Sequence, residues 1–320
     1  MIAAVSNAFS VLATLLQVVL VALLGPLLIG FMAKTKARAE GRVGAPIVQP
    51  LRDLRKLLSK ERLHARHSSV VLPLAPMVIF AATTVAIAIS PLVTTHPLLG
   101  SSADILVIVY LLLTGSVAAA LAGLDAGTAF GGMGASRAMT IGALAEPALL
   151  VAVIALSIQS GTSNLPSIIA TTMTHPNWVS GPSRLLALVA LVIVVIAETG
   201  RLPVDNPSTH LELTMIHEAM ILEYAGPELA LVTLGASMRL ALLFSLIANL
   251  FFPWGIATSG SFVGLALGAV VLVGKTAVVA LGISLIEIRS AKLRLFRLPE
   301  LLAGGFVLSV LAVITGLVTR

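Results

Sequence analysis

Leu185-Leu186-Ala187-Leu188-Val189-Ala190-Leu191-Val192-Ile193-Val194-Val195-Ile196-Ala197 is an unbroken apolar run, followed at once by Glu198-Thr199-Gly200-Arg201-Leu202-Pro203-Val204-Asp205-Asn206-Pro207. The run is expected to lie mostly in hydrocarbon. Charge at the end of a membrane helix is costly to bury, so it is normally functional or paired. The two prolines stop the helix and stiffen the segment after it. The chain then carries His210, Glu212, His217, Glu218 and Glu223-Tyr224-Ala225-Gly226. An acid-rich connection between membrane helices points to a proton path or to a docking surface for a partner.

The whole chain has the composition of an integral membrane protein. It is 58% hydrophobic and 11% charged over 320 residues, too little polar surface for a soluble domain of this size. It has no cysteine. Disulfides, thiolate catalysis, zinc–thiolate sites and iron–sulfur ligation by this chain are therefore excluded. The net charge of +6 does not point to nucleic acid, because the basic residues collect beside apolar runs. Met1 to Gly30 has no basic segment before its apolar stretch and is expected to be a first membrane helix, not a cleaved signal.

A spanning helix needs about 20 mostly apolar residues. Eight stretches qualify, approximately Val11–Met32, Val70–Val93, Ala103–Leu124, Thr140–Ser160, Arg184–Thr199, Pro227–Leu250, Phe262–Ile286 and Leu301–Val318, the fifth being short. The loop after the first span carries Lys34, Lys36, Arg38, Arg42, Arg52, Arg55, Lys56, Lys60, Arg62 and Arg66. The third loop has Arg137, the fifth Arg201, and the seventh Arg289, Lys292, Arg294 and Arg297. The even loops and termini hold only Arg184 and Arg320. The positive-inside rule then puts the odd loops in the cytoplasm and both termini outside. The expected protein is all-α and polytopic: a single membrane domain over 1–320, with an amphipathic cytoplasmic loop at about 34–69 and an acidic one at about 199–226. No short internal repeat or pair of interrupted helices stands out.

Within the first loop, Pro46–Glu61 has helical periodicity. Ile47, Leu51, Leu54 and Leu58 recur at three- and four-residue steps, while Arg52, Arg55, Lys56 and Lys60 fall on the other side, with Asp53 among them. This predicts an interfacial helix, either a topology anchor on membrane lipid or the seat of a peripheral subunit.

Five ionisable residues fall within or at the end of spans: Glu146, Glu198, Arg239, Lys275 and Glu287. Each costs roughly 2.5–3.5 kcal/mol at mid-helix on insertion scales. A carboxyl group taken out of water titrates nearer neutral pH, which suits proton carriage. Internal pairing, for instance of Glu146 or Glu198 with Arg239, is the structural alternative. Glu287 falls at the expected cytoplasmic interface.

His210 and His217 are seven apart, with Glu218 adjacent to the second, and would share one face of a helix capped by Ser208 or Thr209 with Glu212 in its first turn. The spacing matches no standard metal-ligand set. Gly131-Gly132-Met133-Gly134 fits neither a P-loop nor a dinucleotide fingerprint and is expected to be a flexible loop, with the next helix starting at Gly134-Ala135-Ser136-Arg137-Ala138. No nucleophile–base pair stands out, so no catalytic residue is assigned.

Three stretches together resemble one family, subunit 1 of respiratory complex I and its relatives in membrane-bound nickel–iron hydrogenases. Gln49-Pro50-Leu51-Arg52-Asp53-Leu54-Arg55-Lys56-Leu57-Leu58-Ser59-Lys60-Glu61 is similar to the family's QP-x-x-D-x-x-K-L-x-x-K-E element. Gly134–Ala138 with Glu146 is similar to its GS-x-R-A…E helix. Glu198–Asp205 is similar to its ETNR-x-P-F-D stretch, with Glu223-Tyr224 matching a later E-Y. The resemblance implies eight membrane helices and an anchor beneath a hydrophilic redox arm. It implies proton-path roles for Glu146, Glu198 and Glu223, to which Glu212, Glu218, Lys275 and Arg239 are added as candidates. It implies that Arg137, Arg201 and Asp205 face the hydrophilic arm or line a cavity. His210, His217, Arg52, Asp53, Arg55, Lys56, Arg294 and Arg297 are grouped with them.

The departures are informative. Complex I relatives carry an E-x-E-x-E run where this chain reads Ser208, His210 and Glu212. The stretch 206–218 and Ala291–Glu300 are similar to the hydrogenase-4 and formate hydrogenlyase branch instead. That branch implies no cofactor bound by this chain, a nickel–iron centre and iron–sulfur clusters in partner subunits, and no need for a quinone. The expected partners are hydrogenase large and small subunits and antiporter-like membrane subunits, in the inner membrane of a prokaryote. A quinone-site subunit of a complex I-type NADH:quinone oxidoreductase and an autonomous ion transporter are the alternative readings.

Overall fold

The computed structural model describes residues 2–63, 68–205, 215–258, 260–293 and 297–318. The expectations for His210, Glu212 and Arg294, and for a helix capped by Ser208 or Thr209, lie outside the described residues. The described chain is helical nearly throughout: α1 (Ile2–Ala39), α2 (Gln49–Leu58), α3 (Val71–Ile89), α4 (Ile105–Asp125), α5 (Ala129–Ser160), α6 (Leu165–Thr174), α7 (Pro182–Glu198), α8 (His217–Ile221), α9 (Gly226–Phe251), α10 (Phe262–Arg289) and α11 (Leu298–Val318). Seven of them, α1, α3, α4, α5, α9, α10 and α11, are long and apolar enough to cross a membrane. The expected short fifth span is α7, at 17 residues. The amphipathic stretch of the first loop is α2.

The long helices pack around α9, which touches α1, α2, α3, α7 and α10. Nearly every turn of α9 is buried on all sides, as expected of a helix apolar all round. A second group forms where α5 packs against α4, α7 and α11.

The glycine run corrects one expectation. Gly131 and Gly134 lie inside α5, which starts at Ala129 behind the cap Thr128, whose Oγ1 accepts from the Gly131 amide at 3.2 Å. A side chain at Gly131 would stand 2.4 Å from the Gly123 carbonyl oxygen, and one at Gly134 would stand 2.8 Å from the Ala219 methyl. The glycines let α4 and α8 approach the first turns of α5. A second correction concerns Arg184. The sequence counts it among the few charges of the even loops, at the start of the fifth span, but it sits in the first turn of α7 at 0% exposure.

Helix α2 lies against α1 and α9. Its one buried residue is Leu54, and Arg52, Asp53, Arg55 and Lys56 are exposed. Its approach is fixed by Gly30 of α1, where any side chain would overlap the Ile47 carbonyl at 2.0 Å.

In hydrocarbon the last carbonyls of a helix need internal partners. For α3 one side chain supplies them. Gln17 of α1, at 0% exposure, donates from Nε2 to the carbonyls of Ile87 at 2.6 Å and Ser90 at 2.7 Å. Its Oε1 accepts from the amides of Leu92 at 3.2 Å and Val93 at 3.1 Å. From the other side, Asn249 of α9 donates to the Pro91 and Leu92 carbonyls at 3.2 and 2.8 Å. A Gln17→Leu variant should strand the Val93 amide and leave the Ile87 and Ser90 carbonyls and the Leu92 amide with their backbone partners alone, at about 1–3 kcal/mol for each group left unsatisfied. A clear drop in melting temperature, followed by fluorescence-detected size exclusion in mild detergent, is the expected result, with Gln17→Glu intermediate.

Candidate functional site

The site begins where α7 ends. The Gly200 amide donates to the Ala197 carbonyl at 3.2 Å and the Arg201 amide to the Ile196 carbonyl at 3.0 Å. These are the paired bonds of a Schellman stop, with Gly200 left-handed at φ 58°. A side chain at Gly200 would also meet the His217 ring at 2.6 Å. The turn therefore sends Glu198 back into the bundle and Arg201 out toward the polar end.

Inside the bundle, Glu198 forms an ion pair with Arg239 of α9. Arg239 also donates to Ser116 Oγ at 2.6 Å and to the Leu112 carbonyl at 3.3 Å, both on α4. Glu146 of α5 lies within electrostatic range of both members of the pair, repelled by Glu198 and attracted by Arg239. Four helices thus bring two carboxyl groups and one guanidinium together among apolar neighbours. An ion pair with water excluded is held chiefly by its geometry and extra hydrogen bonds, because desolvation offsets much of the attraction.

At the polar end, Arg201 stands 3.7 Å from Glu287 Oε1, and Lys36 of α1 stands 2.9 Å from Glu287 Oε2. Glu287 is 2% exposed, so the expectation of a simple interfacial acid is corrected: it is a buried bridge between α1, α10 and the loop after α7. Burial pulls the Arg201 guanidinium below its ordinary pKa, and the Glu287 carboxylate opposes that. Asp205 accepts from the His217 amide at 3.2 Å, with the His217 ring at 3.5 Å and Lys292 at 3.8 Å. The Leu293 amide donates to the Pro203 carbonyl at 2.9 Å. The stretch 201–205 is thereby tied to α1, α8, α10 and the segment after α10. Arg137 of α5 donates to the Met215 carbonyl at 3.2 Å, joining the same surface.

Other sequence-predicted residues fall elsewhere. Glu218 is half-buried in α8, and Glu223 is half-buried between α8 and α9. Next to Glu223, the Tyr224 hydroxyl donates to the Leu72 carbonyl at 2.9 Å. Burial, then the Glu228 and Asp125 carboxylates, push its pKa up, so it stays a donor. Lys275 does not join the acid cluster. Its Nζ donates to the Phe252 carbonyl at 2.5 Å, at the end of α9, where a cation meets the helix dipole. Arg297 is exposed just before α11. Sequence reasoning did not assign Lys36, Lys292, Gln17, Arg184 or Glu287 to a site. Glu287 alone carried a signal, as an acid within an apolar run.

A polytopic helical membrane protein, with partly buried acids and an arginine gathered where four helices meet beneath a charged loop, is the class these features define. The chain belongs to the NADH dehydrogenase family of complex I subunit 1-like membrane proteins, whose family model matches residues 11–318. It is 31% identical over 307 residues to hydrogenase-4 component C of Escherichia coli, covering 96% of each chain. It is 31% identical over 306 residues to formate hydrogenlyase subunit 4 of the same organism, covering 96% of this chain and 98% of that one. It is 29% identical over 245 residues to a subunit of the NADH-quinone oxidoreductase of Thermomicrobium roseum, covering 69% and 71%. Its fold is similar to a chain of the membrane-bound sulfane sulfur reductase, an archaeal respiratory membrane complex, with TM-score 0.84 at 20% identity over 96% of this chain and 99% of that one.

Removing the Glu287 carboxylate should leave Arg201 buried without its counter-charge. Glu287→Ala is expected to cost about 3–5 kcal/mol, the range for breaking one side of a buried pair. The Glu287→Ala/Arg201→Met double variant should recover most of it, measured as the yield and melting temperature of the purified complex.

Proposed function

We propose that this chain is the membrane subunit of a hydrogenase-4 or formate hydrogenlyase-type redox complex. In this reading it anchors an arm of iron–sulfur and nickel–iron subunits through the surface of Arg137, Arg201, Asp205 and His217. Its odd loops face the cytoplasm of a prokaryote and both termini face outside. Protons, or sodium ions, move through acids including Glu146, Glu198 and Glu223 as the arm turns over. The chain supplies no redox centre of its own, and its other partners are antiporter-like membrane subunits.

The observation that carries this reading is the single turn joining two charge systems. Glu198 and Arg201 are three residues apart across the Gly200 stop, one paired with Arg239 inside the bundle and the other paired with the buried Glu287 toward the polar end. A docked arm that moves Arg201–Asp205 acts directly on the end of α7, and so on the Glu198–Arg239 pair. The near-full-length likeness to hydrogenase-4 component C and formate hydrogenlyase subunit 4 supports the choice of complex. The likeness to an NADH-quinone oxidoreductase keeps a quinone-reducing complex as the second reading.

Glu146→Gln keeps shape and removes the titratable group. In membrane vesicles holding the whole complex, the expected outcome is redox turnover within about twofold of wild type and turnover-driven acidification lowered at least about tenfold, 1.4 kcal/mol of coupling. Unchanged coupling in an assembled variant removes Glu146 from the path. Nickel in the purified complex separates the two readings, since a flavin-containing, nickel-free assembly favours the quinone reductase.

A further inference from the structure

Above the Glu198–Arg239 pair lies a small apolar cavity of about 30 Å³, lined by side chains of α4, α5, α6, α7 and α9. The same order of residues repeats on four of these helices. On α9, Arg239 is followed by Leu243, Ile247 and Leu250. On α7, read backwards, Glu198 is followed by Val195, Leu191 and then Arg184. On α5, Glu146 precedes Leu149, Val153 and Gln159; on α4, Ser116 and Leu112 stand below Ile108 and Ile105. The Leu112 carbonyl accepts from Arg239, and the Leu250 carbonyl accepts from Arg184 at 3.2 Å. The cavity is therefore bounded by one arginine at each end. Leu250 is about 16 Å beyond Arg239 at 1.5 Å rise per residue.

The two arginines differ. Arg239 faces a carboxylate. Arg184, fully buried, donates only to neutral groups: Gln159 Oε1 at 3.1 Å, the Leu250 carbonyl, and Thr172 Oγ1 at 2.6 Å. Its charge is uncompensated by any carboxylate among the described residues. The cavity has room for a water but no polar wall to hold one, so it stays dry. A dry constriction and a fixed buried cation each oppose cation passage.

We propose that this column is an ion seal: the dry cavity and the fixed charge of Arg184 block protons and metal cations from crossing the chain beyond Glu198. Charge reaching Glu198 must then leave by another face. The inference rests on the proposed role of the acid cluster, and it adds a separate function for Arg184, which conducts nothing and keeps the membrane tight.

The test measures passive proton influx, without redox substrate, into vesicles carrying the whole complex under a potassium diffusion potential, read by an internal pH dye. Leu243→Asn wets the cavity and leaves Arg184 as the remaining barrier; influx should stay near wild type. Leu243→Asn/Arg184→Gln should leak about tenfold more, equivalent to 1.4 kcal/mol of barrier. Because Arg184 also ties α5, α6 and α9 together, Gln159→Glu serves where its removal prevents assembly. That change leaves Arg184 in place and compensates its charge, and Leu243→Asn/Gln159→Glu should leak likewise. Leu243→Asn/Arg184→Lys keeps the charge and should stay tight. Assembled double variants as tight as wild type overturn the seal, as does a Leu243→Asn single variant that leaks as much as the doubles. The Glu146→Gln result is read from turnover-driven acidification in the same vesicles, so failure of the coupling role and failure of the seal are separate outcomes.

Discussion

A guanidinium in the middle of the most enclosed helix is the constraint around which the bundle is arranged. Arg239 cannot be left unpaired in hydrocarbon, where the cost of a lone charge exceeds that of most packing defects. Its partners come from two other helices and fix where those helices lie. Helix α7 must reach it with Glu198, and α4 must present the Leu112 carbonyl and Ser116 at the same height. Glu146 enters from α5. The Schellman stop at Gly200 is a further requirement, because α7 must end within one turn of Glu198 for Arg201 to reach Glu287.

The two ends of the molecule solve the same electrostatic problem with different chemistry. Around Arg201 the groups are mostly charged: Glu287 faces two cations, Lys36 and Arg201, and Asp205 faces Lys292 and the His217 ring. Around the last turn of α9 they are chiefly amide and hydroxyl groups plus two cations. Arg184 takes the Leu250 carbonyl and Lys275 takes the Phe252 carbonyl. Both cations sit at the negative end of the α9 dipole. A charged residue in a span thus has at least two meanings here, and only its neighbours distinguish a helix cap from a member of the acid cluster.

Much of this was legible in the sequence. Apolar runs of span length gave the helices, because a bilayer imposes length and composition together. The spacing of Leu51, Leu54 and Leu58 gave α2. The Glu198–Asp205 stretch marked the site because charge, glycine and proline coincide at a helix end. In the family's ETNR pattern the third position is asparagine; here it is Gly200, and both residues tolerate the left-handed backbone that the stop requires. What was hidden depends on contacts distant in sequence. Nothing near Gly131 and Gly134 announces that α4 presses against the first and α8 against the second. Gln17 reads as one polar residue in an apolar run, and only the end of α3, 70 residues on, explains it. Arg184 looked like a loop charge because the helix start at Pro182 brings it inside by two residues.

The shortness of α7 has a consequence for the surrounding lipid. Seventeen residues rise about 26 Å, against a hydrocarbon thickness near 30 Å. Its neighbour α5 has 32 residues and rises about 48 Å, so it must tilt or project beyond the bilayer. Leu185 and Val189 of α7 are about half-exposed on the outside of the bundle. Acyl chains beside them meet a hydrophobic wall some 4 Å shorter than their resting thickness. A bilayer of ordinary thickness would have to thin locally to meet α7. Such a mismatch favours thinner lipid beside this helix, at a modest cost per ångström.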